Sequence, residues 1–140
     1  MEDYWKRFVA DTGIDGPYTA WAFGDSEAMA TDLALLVRDG PKRATASLSA
    51  AYGEDEAKPR PGELSVILDG RGQPVCVIRT TDVEFRRFAD VDAEFAWTEG
   101  EGDRSLEYWR REHLRFFAAG GATVDGDSEV VLQRFELLWS

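Results

Sequence analysis

Two β-rich runs, Glu63 to Leu68 and Pro74 to Thr81, are joined by Asp69-Gly70-Arg71-Gly72. Turn residues of this kind between extended apolar runs predict a β-hairpin, because glycine adopts the positive φ that tight hairpin turns require. A hairpin commits the chain to an antiparallel pair, and every other element must pack around it. Val83 to Phe88 is predicted to continue the sheet. Further strands are predicted from Pro17 to Phe23, where Thr19, Trp21 and Phe23 alternate with Tyr18, Ala20 and Ala22, from Arg43 to Leu48, and from Glu129 to Trp139.

Helical spacing fills the gaps. Asp3 to Thr12 places Trp5, Phe8, Val9 and Thr12 on one stripe and stops at Gly13. Asp25 or Ser26 caps a second helix with Met29, Leu33, Leu36 and Val37 on its apolar side, and Gly40 fits the position just past its end. Val91 to Trp97 reads as a short helix. Ser105 to Phe117 reads as a longer one, with Leu106, Trp109, His113, Phe116 and Phe117 on one side and Gly120-Gly121 beyond it. Helices mixed with five to six strands predict an α+β fold with a curved or closed sheet.

The chain has 140 residues and 44% hydrophobic content, enough for one domain with a real core. No apolar run approaches the ~18 residues that span a bilayer. The N-terminus is charged and mixed and does not read as a secretory signal. Cys76 is the only cysteine, so neither a disulfide framework nor a cysteine metal site forms within one chain. Cytoplasmic residence and no membrane partner are the expectation. The net charge of −11 repels nucleic acid at long range. No DNA partner is expected, and RNA recognition would have to be local. A nucleoside-sized ligand remains compatible with that charge, and the oligomeric state stays open.

Chemistry concentrates at Gly40-Pro41-Lys42-Arg43-Ala44-Thr45-Ala46-Ser47, where a helix ends, the chain turns and a strand begins. Lysine serves as a base only if it sheds its proton, which burial and the neighbouring charge of Arg43 would both favour. A threonine hydroxyl is a weak nucleophile until a base takes its proton. Residues three apart in a straight strand face opposite sides, so Lys42 and Thr45 converge only if the turn bends them together, whereas Thr45 and Ser47 share a face. The plain alternative is a solvated basic turn. Glu99, Glu101 and Asp103 alternate with glycines in an acidic loop whose default reading is solvated; the spacing matches no calcium loop, and no metal or cofactor is expected. Asp103 suits a helix cap. His113, the only histidine, reads as a hydrogen-bonded packing residue rather than an acid–base group. Trp21, Phe23 and Trp109 suit the lining of a cleft, but no basic residues interleave the aromatics as an extended RNA platform requires.

The Gly40, Lys42 and Thr45 spacing resembles the G-x-K-x-x-T-x-R segment of the ASCH domain family, a branch of the PUA-like β-barrels, with Ser47 in place of the final arginine. The resemblance runs from about Trp21 to the last strand and includes Glu99-Gly100-Glu101-Gly102-Asp103 followed by Ser105-Leu106-Glu107-Tyr108-Trp109, similar to a subgroup of small bacterial members. It implies a single ASCH-type domain over residues 1–140, with 1–16 as an N-terminal helical extension. The implied fold is a PUA-like mixed β-barrel of five to six strands with flanking helices. It also implies a hydrolase acting on an N4-acylated cytidine-like nucleoside or related small amide, with Lys42 as base, Thr45 as nucleophile and Glu99 as the acidic residue, Glu101 being the alternative. Trp21, Phe23, Arg43, Ser47, Glu101 and Trp109 are the candidate substrate contacts. The rival readings are a metal-assisted ribonuclease on short single-stranded RNA and a non-catalytic RNA- or nucleotide-binding module.

Overall fold

The hairpin forms where its turn residues place it. Asp69 Oδ1 accepts from the amides of Arg71 (2.8 Å) and Gln73 (3.0 Å), closing the turn on itself. Gly70 also packs against the start of the second helix so tightly that any Cβ there would overlap the Glu27 backbone, and its amide donates to Thr31 Oγ1 at 2.9 Å.

The computed structural model describes residues 1–140. Its elements are α1 (Glu2–Thr12), β1 (Tyr18–Trp21), α2 (Glu27–Asp39), β2 (Ala44–Leu48), β3 (Leu64–Leu68), β4 (Pro74–Arg87), α3 (Ala93–Glu99), α4 (Leu106–Ala119) and β5 (Glu129–Trp139), with single 3₁₀ turns at Ser49–Ala51 and Phe88–Asp90. Side-chain caps start three helices: Ser26 accepts from Met29 N, Asp92 from Phe95 N and Ser105 from Tyr108 N. Ser105, not Asp103, therefore caps α4; Asp103 instead accepts from the Ser105 amide at 2.9 Å. Gly40 ends α2 in an extended conformation, φ −133°, rather than a left-handed one. The two runs predicted on either side of Asp82 are one 14-residue strand, whose pairing with β5 shifts register between Val77 and Ile78 and between Thr80 and Asp82. No helix is long and apolar enough to cross a membrane.

The sheet runs β1-β3-β4-β5-β2, with β1 parallel to β3 and every other pair antiparallel. The fold is α+β, with five strands and flanking helices. Hydrogen bonding does not close the barrel, since β1 and β2 remain separate edges. Alternation divides the side chains between two faces. Ile67, Cys76, Ile78 and Phe135 pack with Ala34 and Val37 of α2 and with Phe23. The opposite face is covered at one end by Trp5 and Phe8 of α1, over Leu64, Val66 and Val77, and at the other by α3 and α4. There Phe95, Trp109 and Phe117 pack on Ala44, Leu48, Val130 and Leu132. The first helix is thus part of the core rather than an appendage to it.

Candidate functional site

Two turns meet backbone to backbone at the start of β2. Helix α3 ends on Gly100, left-handed at φ 74°, and a Cβ there would come within 2.9 Å of Lys42 N and Cα. The Thr98 carbonyl accepts from the Arg43 amide at 2.9 Å, while the Arg43 carbonyl accepts from Phe135 N of β5 at 3.0 Å. Arg43 is therefore pinned between α3 and the sheet, which aims the neighbouring Lys42 at the end of α3. The reversal at Gly100 then returns Glu101 to the same spot.

Lys42 is 1% exposed. Its Nζ donates to Ala44 O at 2.8 Å and to Glu101 Oε2 at 2.9 Å, lies 3.6 Å from Glu99 Oε1, and stands 5.2 Å from the centre of the Phe23 ring. Glu99 is 2% exposed, so the solvated acidic loop expected from sequence is wrong at this residue, which is the last of α3. Its Oε2 accepts from Trp109 Nε1, and its Oε1 contacts His113 Nε2 at 3.0 Å. Glu101 is less enclosed, with its side chain 20% exposed.

The hydrogen-bond inventory sets the charge of His113. Its Nδ1 lies 2.8 Å from the Trp109 carbonyl, which can only accept, so Nδ1 must donate. Its Nε2 faces the Glu99 carboxylate, which when ionised also only accepts. Both nitrogens therefore carry protons, and the ring is an imidazolium stacked on Trp109 at 4.1 Å. Burial alone would push this imidazole down, but the charge and hydrogen bond of Glu99 hold it above its ordinary value. Burial alone would likewise raise Glu99, yet the charges of His113 and Lys42 hold it well below the usual carboxylate range, at about 2. Glu101 moves the other way: burial, opposed by Lys42 and aided by the charge of Glu99, raises it. Two adjacent carboxyls with divergent acidities are the arrangement that separates a fixed anion from a proton carrier.

Ligand atoms of Glu99, Glu101 and His113 lie within 4.8 Å of one another, close enough to be tested as a metal centre. The donor set does not suit one. The Lys42 ammonium already sits between the carboxylates where a cation would go, and His113 spends Nε2 on Glu99.

The structure therefore gathers Lys42, Glu99, Glu101, Phe23 and Trp109, and adds His113, which from sequence reads as a hydrogen-bonded packing residue. The i,i+4 spacing of Trp109 and His113 on one helical face is the only local trace of that role. Other candidates are occupied by the fold. Trp109 is buried, with its N–H committed to Glu99, and has no face free for a ligand. Arg43 Nη1 donates to the Val37 and Lys42 carbonyls, and Ser47 Oγ is bonded to Tyr52 Oη at 2.8 Å. Trp21 is half-buried, edge-on to Phe23 at 4.9 Å. Thr45 takes part in none of the cluster's hydrogen bonds. It points to the α2 face, opposite Ala44 and Ala46, although the Lys42 amine rests on the carbonyl of the peptide that carries the Thr45 nitrogen. A shallow surface cavity of about 630 Å³ near Phe85, Arg86, Arg87, Asp90 and Glu129 includes no member of the cluster.

The profile of the ASCH domain family matches residues 19–139. Among solved structures, the chain is similar to an ASCH domain from Lactobacillus crispatus, with a TM-score of 0.88 and 28% identity over 99% of this chain and 94% of the other. It is similar to a protein from Enterococcus faecalis, 37% identical with a TM-score of 0.84, over 99% of this chain and 87% of that one. A hypothetical protein with 14% identity and a TM-score of 0.57 shares the fold alone, over 86% of this chain and 99% of its own. No curated protein matches the sequence.

Proposed function

Because this chain belongs to the ASCH domain family, we propose that it hydrolyses a small amide, with an N4-acylated cytidine-type nucleoside as the substrate class. ASCH domains are PUA-like modules of an RNA-binding type, so a nucleoside-bearing ligand is the class to fit to the site. The observation that carries the reading is the sealed Lys42 amine, held 2.9 Å from a carboxylate whose pKa burial raises, at the turn into the strand that bears Thr45. A buried amine and a weakened carboxylic acid in contact can exchange a proton, and chemistry can use that exchange.

In this scheme the proton moves from Lys42 Nζ to Glu101, leaving a neutral amine. Thr45 Oγ1 attacks the acyl carbon as its own proton passes to Lys42. The C–N bond breaks, and the leaving N4 takes the proton from Glu101, restoring the ammonium–carboxylate pair. Water then cleaves the threonine ester by the same exchange: Lys42 takes the water proton and Glu101 protonates Thr45 Oγ1. Glu99, pinned by Trp109 and His113, stays anionic throughout and orients Lys42. Of the two glutamates compatible with the family pattern, Glu101 is thus the proton carrier and Glu99 the anchor.

A second reading has its own support. All the polar contacts of Lys42 and Glu99 are already made within the protein, which suits a site that binds a nucleoside without reacting with it. Incubation with N4-acetylcytidine, followed by proton NMR, separates the two. Hydrolysis releases acetate and cytidine in equal amounts, and Lys42→Ala or Thr45→Ala abolishes release. Saturable binding with no acetate after prolonged incubation would instead establish a binding module.

A further inference from the structure

We infer that the segment 100–104 is a lid over Lys42 and that Arg104 is the positioning residue that latches it, clasping Trp97 and so holding Glu101 against the amine. The inference rests on the reading of Lys42 as the reactive group.

Burial makes a movement necessary. With Lys42 1% exposed, no ligand reaches Nζ until one of the groups around it withdraws. Three of them are fixed by the fold. Ala44 stands in β2, Phe23 sits in the core beside α2, and Glu99 is buried and bonded to Trp109 and His113. Glu101 alone is partly open, and it stands on the irregular connection between α3 and α4.

That connection is tied down by side chains rather than by its backbone. The amides of Glu101, Gly102 and Asp103 make no backbone hydrogen bond, and the Arg104 amide bonds only within the segment, to Glu101 O at 3.0 Å. Segments so sparsely bonded open more readily than the core. Gly100, Gly102 and Arg104 all have positive φ, and Arg104, at 65°, is the only non-glycine residue of the chain that does. Such strain persists only where its surroundings hold it, and it collects at clamps and switches. Trp97 is what holds Arg104. Nε and Nη2 both donate to the Trp97 carbonyl, at 2.9 and 2.8 Å, and the guanidinium lies 3.6 Å from the centre of the indole. Trp97 is 58% exposed, so its ring serves this clasp and not the core. At the tip, Gly102 rests on the Tyr108 ring so closely that a Cβ would overlap it.

Closed, the lid keeps Glu101 at 2.9 Å from Nζ; open, it bares Nζ to an incoming ligand. Closure over that ligand restores the contact that proton exchange requires. Because only the open form admits a ligand, the latch weakens apparent affinity by the open fraction.

The test is the rate at which the N-hydroxysuccinimide ester of acetic acid acetylates each lysine of the intact protein, read by peptide mass spectrometry. Lys6, Lys42 and Lys58 are the only lysines, so exposed Lys6 and half-buried Lys58 are internal references. Wild-type Lys42 is expected to react about a hundredfold more slowly than Lys6, because it reacts only while the lid is open. Arg104→Asn and Arg104→Gly lose the clasp but keep a residue that accepts positive φ, so the fold survives both. Each should raise the Lys42 rate about tenfold, in line with a lost cation–π contact and a lost pair of hydrogen bonds, with Lys6 and Lys58 unmoved. Trp97→Phe, which keeps a ring and the carbonyl, should stay close to wild type. Low concentrations of urea should leave the Lys42 rate flat, since a small opening exposes little surface. Wild-type Lys42 reacting as fast as Lys6, an unchanged Lys42 rate in both Arg104 variants, or a rate that climbs with urea in step with global unfolding would overturn the inference. With N4-acetylcytidine, KM and kcat should both fall in the Arg104 variants, as access improves and Glu101 is held less often. Absent acetate release with faster Lys42 labelling would remove the hydrolase reading and leave the lid standing; release with unchanged labelling would do the reverse.

Discussion

Replacing Glu99 by glutamine preserves shape and removes one negative charge from a sealed group. The cluster has two cations, Lys42 and His113, and two carboxylates, Glu99 and Glu101, and so sums to zero. In Glu99→Gln the two cations face Glu101 alone, and the Trp109 indole N–H loses an ionic acceptor. Removing one partner of a buried pair costs about 3–5 kcal/mol, because the remaining charge stays desolvated. Unfolding entropy near ~2.1 cal/mol/K per residue gives roughly 0.3 kcal/mol/K for a chain of this length, so the melting temperature should fall by about 10–17 °C at pH 7. His113 relieves part of the loss by shedding its second proton, which places the drop toward the lower end and supplies an independent signature. The assay is thermal unfolding by circular dichroism, paired with NMR titration of the single histidine. A fall of less than about 3 °C, equivalent to about 1 kcal/mol, would refute the reasoning. So would a His113 that still titrates above its ordinary value in the variant, since Glu99 is then not what charges it.

The pH dependence of stability follows from the same groups. His113 is raised in the folded state, so its contribution is complete below its unfolded value of 6.5 and is lost as pH rises through the folded value. Urea unfolding from pH 6 to 8.5 should show falling stability in the wild type and a flatter curve in His113→Asn; parallel curves would contradict the assignment. Glu99 is lowered, so its contribution is present above 4.5 and is lost as pH falls toward the folded value of about 2. Gly100→Ala should destabilise by about 2 kcal/mol or more in chemical denaturation, combining a left-handed φ with a Cβ driven into the Lys42 backbone, and should also loosen the Lys42–Glu101 contact. Thr45→Ala removes a half-buried hydroxyl with no side-chain partner, so its stability should change by less than ~1 kcal/mol while acetate release from N4-acetylcytidine disappears. Full turnover by that variant would exclude Thr45 as nucleophile.

The elements were legible wherever local chemistry decides them. The Asp69–Gly72 turn, the Ser26 cap and the long alternation of β5 each carry their signal within a few residues, and each forms where that signal lies. The site was legible only in part. Lys42 and Thr45 stand out because a helix–turn–strand motif surrounds them, but the partners of Lys42 come from 57 and 59 positions away, and no local pattern records that meeting. Residue types alone put Glu99 in a solvated loop, because glycine-separated carboxylates usually are solvated; only the family resemblance points to it as a site residue. What buries it is the docking of α3 onto the start of β2, a tertiary fact. His113 followed the commoner fate of a lone histidine among aromatics in that it does pack on Trp109, and the same stacking delivers its other nitrogen to Glu99.

The open sheet has a bearing on how copies of this chain behave toward one another. An unpaired strand is a template for another chain's backbone, and here both margins are kept short, four residues in β1 and five in β2. Along β2 the Arg43 carbonyl turns inward to β5, so that of Ala44 turns outward, and the Lys42 amine covers it. The remaining safeguard is mutual repulsion from a net charge of −11, which vanishes near pH 4.5. Colloidal stability and the integrity of the lysine cluster are therefore linked: acid that neutralises the surface leaves two bare margins guarded chiefly by their brevity and by one buried ammonium group.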